Sequence, residues 1–361
     1  MSKIFLEHFF SEIFVDHDHN KISNYCQYNL TNWIETLPDD CDAIGISFYT
    51  NFYASYLPII DKLLPKTKKL LLNISEPTDP YILKFINIIS NKKIKIFTDI
   101  VTNDENSDNF KTKISWFVDS RNYYAQYQWA KDLTTKIELP RSWQPRSYMF
   151  DCLLGSRKNH RDIVHNLYLK SIYKNKVYFT YYKDDPAQGS WGDYYDKKNT
   201  FNNLYRFVPD INYGGVVGMS LYAIIPYYIY NDSYYSIVAE TTAFNSYNQY
   251  TEKVIKPILA RRPFVAFCGQ YYLRNLRSLG FKTFGDVIDI DGKTVIDESY
   301  DDEPNDRVRW QMAWNQVEQL CSKDPTLVYA QLQNILDYNL HHFLETNWHQ
   351  EILNELLMPF D

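Results

Sequence analysis

The chain has 361 residues, of which 45% are hydrophobic and 23% charged, and a formal net charge of −6. That composition excludes a disordered chain, and at about 150 residues per domain the length suits two domains. The acidic balance excludes a bulk basic field for nucleic acid or an anionic membrane, so either partner would need a local basic groove.

Tyrosine is abundant, with 32 copies, and glycine scarce, with 11 in 361 residues, where average usage is about 7%. Tyr, Asn, Lys and Ile share AT-rich codons, so aromatic content alone does not indicate a ligand. The five cysteines, Cys26, Cys41, Cys152, Cys268 and Cys321, are scattered and odd in number. This pattern predicts reduced thiols in a cytoplasmic setting rather than a disulfide framework or a zinc site. No basic region, apolar run and small-residue cleavage site open the chain, and no membrane span is expected because no run approaches about 18 apolar residues.

In chain order, Asp42-Ala43-Ile44-Gly45-Ile46-Ser47-Phe48-Tyr49 reads as a buried strand. A helix with Leu57, Ile60, Leu63 and Leu64 on one face follows it. Lys69–Ile74 predicts a second strand, and Thr78-Asp79-Pro80 opens a helix carrying Ile82, Leu83, Ile86 and Ile89. Lys95–Thr98 and Ile114–Val118 read as further strands. Strands alternating with helices predict a parallel sheet covered on both faces.

A Pro-Arg-Ser-Trp-Gln-Pro-Arg crossing at 140–146 leads to a second α/β block. Tyr148–Leu154 is its first strand, Gly155-Ser156 a turn, and a helix carrying Ile163, Val164, Leu167 and Tyr168 follows. Asp184–Gly215 reads as a polar loop, Tyr235–Ala239 as a strand, Thr251–Ala260 as a helix and Pro263–Cys268 as a strand. Leu273–Leu279 and Val308–Leu320 predict helices, and His342–Leu357 an amphipathic one.

The chemistry concentrates in 235–284. A strand ends in Glu240-Thr241-Thr242, and after a polar loop Tyr250-Thr251-Glu252-Lys253 begins a helix. A helix N-terminus presents free N–H groups and partial positive charge, and Lys253 adds a full charge suited to a diphosphate. Glu240 and Glu252 are placed to accept hydrogen bonds from sugar hydroxyls; an ordinary helix start with Lys253 in water is the plainer alternative. At the strand-to-helix turn, Gly155-Ser156-Arg157-Lys158-Asn159-His160-Arg161 is a basic segment suited to an anion or simply to solvent.

These segments resemble the donor-binding signature of the inverting fucosyltransferase family. In that family a strand ending Glu-Asn-Ser precedes Tyr-(Ile/Val)-Thr-Glu-Lys, then a helix and Pro-Val-Val-x-Gly. Here Thr241 and Thr242 replace Asn-Ser, and Arg262-Pro263-Phe264-Val265 with Gly269 follows the helix. The run from Tyr272 to Phe284, with Asp297-Glu298-Ser299-Tyr300-Asp301, also resembles virus-encoded glycosyltransferase-like proteins.

The resemblance implies a GT-B architecture, two Rossmann-like α/β domains facing a cleft. An acceptor-side domain would span 1–145, a nucleotide-sugar domain 146–335, and a C-terminal helix 336–361 would pack back on the first. The implied donor set is Gly155, Arg157, Arg161, Glu240, Tyr250, Thr251, Glu252 and Lys253. Leu72-Asn73-Ile74-Ser75-Glu76-Pro77-Thr78 is similar to the family's Asn-x-Glu-Ser-Pro-Thr segment, which makes Glu76 the general base. The Asp16-His17-Asp18-His19 segment offers Asp18 or His17 as a rival.

The implied reaction transfers a sugar, from a GDP-sugar first, to a glycan or other hydroxyl acceptor, with inversion and no essential metal or other cofactor. A modified base in viral DNA is an alternative acceptor, with Lys66, Lys68, Lys69, Lys92, Lys93 and Lys95 as phosphate contacts. A non-catalytic nucleotide- or sugar-binding protein is the other alternative. Asp289-Ile290-Asp291 resembles a metal motif but adjoins Gly292-Lys293, which suits a hairpin turn, and Asp306 suits a helix cap.

Overall fold

Leu70, Leu71 and Leu72 are all at most 2% exposed, the mark of a strand covered on both faces. They belong to a computed structural model that describes residues 4–7, 24–26, 30–49, 53–75, 94–98, 100–101, 138–141, 144–156, 158–182, 227–241, 243–244 and 247–346. The chain divides into two units, Met1–Asp119 with Asn347–Asp361, and Ser120–Thr346.

The first unit carries β1 (Ile4–Glu7), β2 (Asn24–Cys26), α1 (Leu30–Thr36), β3 (Ala43–Tyr49), α2 (Tyr53–Leu63), β4 (Leu70–Ser75), β5 (Ile94–Thr98) and β6 (Ile100–Val101). Five strands form a wholly parallel sheet in the order β2-β1-β3-β4-β5. Its core joins Trp33 and Ile34 of α1, Ile44 and Ile46 of β3, Ile60 and Leu63 of α2, and Leu70 and Leu72 of β4. The helical spacing of Ile60 and Leu63 seals α2 onto the sheet. Truncating one such leucine to alanine costs about 2–5 kcal/mol. The expected strands at 42–49, 69–74 and 95–98 are present, whereas β1 and β2 were not expected. Strands of four and three residues are too short to establish a period.

The second unit carries β7 (Tyr148–Ser156), α3 (Asn159–Lys170), β8 (Val177–Tyr182), α4 (Tyr227–Asp232), β9 (Ser233–Val238), β10 (Ala243–Phe244), β11 (Tyr247–Gln249), α5 (Glu252–Leu259), β12 (Phe264–Ala266), α6 (Tyr272–Ser278), α7 (Asp306–Ser322) and α8 (Pro325–Glu345). β12, β9, β7 and β8 form a parallel four-stranded sheet in that order. Every residue of β9 is buried. α3 packs against α7, and α5 against α8. The molecule is therefore a mixed α/β protein built on parallel sheets.

Several local expectations change. β7 runs through Gly155 to Ser156 instead of turning there, with a register shift against β8 between Leu154 and Ser156. The side chain of Asn305, not Asp306, caps α7 by accepting from the Arg307 and Val308 N–H groups; Asp306 pairs with Arg309 instead. The expected boundary at 336 falls inside α8, whose buried residues include Leu336, Asn339 and Phe343. The segments 78–89, 114–118 and 184–215 lie outside the described residues, as do 347–361. Cys41, Cys152, Cys268 and Cys321 are buried thiols. Among the described residues no helix is long and apolar enough to cross a membrane.

Candidate functional site

The chain leaves β7 toward β8 and then returns to its other side as β9, with β12 beyond. The reversal between β7 and β9 is a topological switch point. In open α/β sheets, ligands bind outside the carboxyl ends of the strands at such a point. Gly155-Ser156 ends β7, and Ala239, Glu240 and Thr241 follow β9.

Arg161, in the first turn of α3, is 3% exposed and spans the two strand ends. Its Nη2 lies 3.4 Å from the carbonyl oxygens of both Ala239 and Glu240. A Cβ at residue 155 would stand 3.6 Å from its Nη1, so the guanidinium lies directly against Gly155. Burial lowers the Arg161 pKa, and the nearby Glu252 and Glu240 oppose that shift.

His160 Nε2 lies 2.8 Å from the Glu240 carbonyl oxygen. Burial, with Arg161 beside it, pushes the imidazole pKa down to about 3. The ring is therefore neutral at pH 7, and because a carbonyl only accepts, Nε2–H is the donor.

The Glu240 carboxylate is fully buried. Oε1 accepts from the Thr251 N–H at 3.0 Å and the Tyr272 hydroxyl at 2.9 Å, and Oε2 from the Thr251 hydroxyl at 2.5 Å. Burial raises its pKa, while Lys253 pulls it back. Glu240 thus ties the end of β9 to the start of α5. Thr251 in turn caps α5 by accepting from the Lys253 N–H, an arrangement worth about 1 kcal/mol.

Lys253 and Glu252 form the more open edge, with side chains 23% and 14% exposed. Lys253 Nζ lies 2.7 Å from Glu252 Oε1, 3.1 Å from Thr251 Oγ1 and 3.3 Å from Thr241 Oγ1. Burial alone would raise the Glu252 pKa, but Lys253 and Lys256 outweigh it and hold the carboxyl at about 2. Burial pushes Lys256 down to about 8, against the pull of Glu252. Three cations, Arg161, Lys253 and Lys256, face two carboxylates, Glu240 and Glu252. With all five ionised, one positive charge is left over in a partly buried setting, where it acts more strongly than in water. Such a cluster can hold an anion.

Of the expected donor residues, Gly155, Arg161, Glu240, Thr251, Glu252 and Lys253 converge here. Tyr250 lies close by but turns inward: it is buried, its hydroxyl donates to the Tyr272 carbonyl at 2.6 Å, and its ring packs on Tyr272. Glu76, Asp18, the rest of 16–19 and Arg157 lie outside the described residues. Sequence reasoning gave no role to His160, Lys256 or Tyr272. Lys256 was detectable as the i+4 partner of Glu252. Tyr272 was not, because its contact with Glu240 spans 32 residues.

Other candidates resolve into structure. Asp289 accepts from the Asp291 and Lys293 N–H groups in a turn where Gly292 has φ +76°, and Ile288 bridges Thr294 across it. Asp301 accepts from the N–H groups of Leu273 and Arg274 and so caps α6. Lys66 pairs with Asp39 and Lys68 with Asp42. Lys92 and Lys93 lie outside the described residues. Among the described residues no group of three or more His, Cys, Asp or Glu could hold a metal ion. No protein-family model matches the chain, and no curated protein and no solved structure matches it.

Proposed function

We propose that the chain is an inverting glycosyltransferase of GT-B architecture that uses a nucleotide-diphosphate sugar, with GDP-sugars first among the candidates. The observation that carries this reading is the cationic cluster of Arg161, Lys253 and Lys256 at the β7–β9 switch point. The likeness of Tyr250-Thr251-Glu252-Lys253 to a fucosyltransferase donor signature adds to it.

In this reading Lys253 and Thr241 meet the diphosphate, Arg161 reinforces the field from behind Gly155, and Glu252 accepts from a sugar or ribose hydroxyl. Glu240, Thr251 and Tyr250 keep that edge in shape. The acceptor oxygen bonds to the anomeric carbon as the bond from that carbon to the diphosphate oxygen breaks. Its proton passes to a carboxylate, Glu76 or Asp18. Negative charge departs on the nucleoside diphosphate, stabilised by Lys253, Arg161 and the N-terminus of α5, so a metal is not essential.

A thermal-shift panel of GDP, UDP, CDP, ADP and dTDP and their sugars, with and without Mn²⁺, tests this. Ligand at 100 times its Kd stabilises the fold by about 2.7 kcal/mol, a rise of several degrees. The expected result is a metal-independent rise with one nucleoside, then release of that nucleoside diphosphate when an acceptor is supplied. Glu76→Gln is expected to keep binding and lose transfer. No rise with any ligand sinks the proposal; binding without transfer or donor hydrolysis reduces it to a nucleotide-binding protein.

A further inference from the structure

Two described non-glycine residues have left-handed backbone, Arg261 at φ +50° and Tyr271 at φ +65°. Arg261 is explained by its place. It follows α5, its N–H donates to the Ile258 carbonyl, and the Arg262 N–H reaches back to the Pro257 carbonyl at 2.9 Å. That is an ordinary left-handed helix stop. Tyr271 ends no helix. It lies between β12 and α6, at the carboxyl end of the sheet, in a conformation that bulky side chains rarely adopt.

The surroundings impose it. The Tyr271 N–H donates to the Asp301 carbonyl at 2.8 Å, and Asn248 Nδ2 holds the Gln270 carbonyl at 2.7 Å. On the other side the Tyr250 hydroxyl holds the Tyr272 carbonyl. The left-handed residue sends the two adjacent tyrosines to different duties. Tyr272 is buried with its hydroxyl on Glu240, while Tyr271 stays half-buried with the Arg274 guanidinium 3.7 Å over its ring centre. Arg274 itself is exposed. β12 is the neighbour of β9, and Tyr272, next to Tyr271 in the chain, bonds to Glu240 at the strand end that carries the cationic cluster.

We propose that the Tyr271–Arg274 stack is the platform on which the base of the nucleotide lies. This rests on the nucleotide-sugar reading above and deepens it. A base offers a flat π face that stacks on an aromatic ring or a guanidinium plane, whereas a phosphate has no such face and a sugar presents only C–H bonds. Strain kept at a partly exposed aromatic residue next to a cationic cluster is accounted for by such a contact.

The test titrates wild type, Tyr271→Asn, Tyr271→Gly, Tyr271→Phe and Lys253→Ala with the five nucleoside diphosphates and with inorganic pyrophosphate, following affinity by calorimetry. Asn and Gly accept a positive φ, so both variants should keep the wild-type melting point or raise it. They are expected to bind the preferred nucleoside diphosphate about tenfold more weakly, the loss of one stacking contact, with pyrophosphate affinity unchanged. Tyr271→Phe should bind as wild type does.

Unchanged nucleoside diphosphate affinity in Tyr271→Asn, with loss in Lys253→Ala, overturns the platform and leaves the diphosphate site standing. Equal weakening toward pyrophosphate also overturns the platform, because the base would not be what Tyr271 senses. Pyrophosphate binding without nucleotide preference does the same. No binding of any probe overturns the platform and the nucleotide-sugar reading together.

Discussion

The two ends of the four-stranded sheet each hold a buried arginine that interacts with a carboxylate, yet they are built differently. At the amino end Arg262 is 1% exposed. Its Nη2 lies 2.6 Å from Asp151 Oδ2, its Nη1 bonds the Tyr230 and Ser233 carbonyls, and its Nε reaches Ser236 Oγ. Ser233 and Ser236 also donate to Asp151. At the carboxyl end Arg161 lies 3.4 Å from two carbonyls, and the charged groups beyond it, Lys253 and Glu252, reach partial exposure. A closed network of short bonds is a strut, whereas charges brought to the edge of a buried cluster can exchange internal partners for a ligand.

The comparison breaks most easily at the strut. Arg262→Ala strands Asp151 as an uncompensated buried carboxylate, which costs about 3–5 kcal/mol and lowers the melting point by on the order of 10 °C. Loss of nucleotide affinity with an unchanged melting point would instead put the site at the amino end.

Lys253→Ala is the converse. It removes one charge-assisted contact, so nucleoside diphosphate affinity should fall by roughly ten- to a hundredfold, with a smaller loss of melting point than in Arg262→Ala because Lys256 still compensates Glu252. A large stability loss at wild-type affinity would make Lys253 a strut as well.

The third effect is a slope. His160 has a folded pKa of about 3 against an ordinary 6.5. Between those values the unfolded chain binds a proton that the folded chain does not, so stability falls on acidification, by up to about 1.4 kcal/mol per pH unit. His160→Gln still donates to the Glu240 carbonyl but does not titrate, and should flatten melting point against pH. Glu252, held at about 2 in the folded chain, loses its contribution as pH falls below about 4.5, the ordinary value for Glu. The effect of His160→Gln is therefore cleanest between pH 6.5 and 4.5, and an unchanged slope there would show that His160 does not control it.

Legibility followed the range over which each feature is encoded. β3, β4, β7, β9 and β12 were readable because strands covered on both faces are continuous apolar runs. β8 passed unnoticed, although Val177-Tyr178-Phe179-Thr180-Tyr181-Tyr182 is rich in β-formers, since nothing in its surroundings marks its limits. Thr251 announced α5 and acts as its cap, while Asn305 displaced Asp306 by one residue at α7. Helix caps are legible in type and uncertain by a position, because either neighbour has a suitable side chain.

By itself the sequence determined the types of β3, β4, β7, β9, β12 and the helices α2, α3, α5, α6 and α7, the basic segment after β7 and the charged start of α5, because periodicity and capping act over a few residues. Only the tertiary structure decided that these meet at one switch point. Strand order brought Arg161 onto carbonyls 78 and 79 positions away and Tyr272 onto Glu240 across 32. It also gave Tyr271 its left-handed backbone through the Asp301 carbonyl. Such bonds join distant stretches of chain, and neither local propensity nor spacing records which stretches will become neighbours.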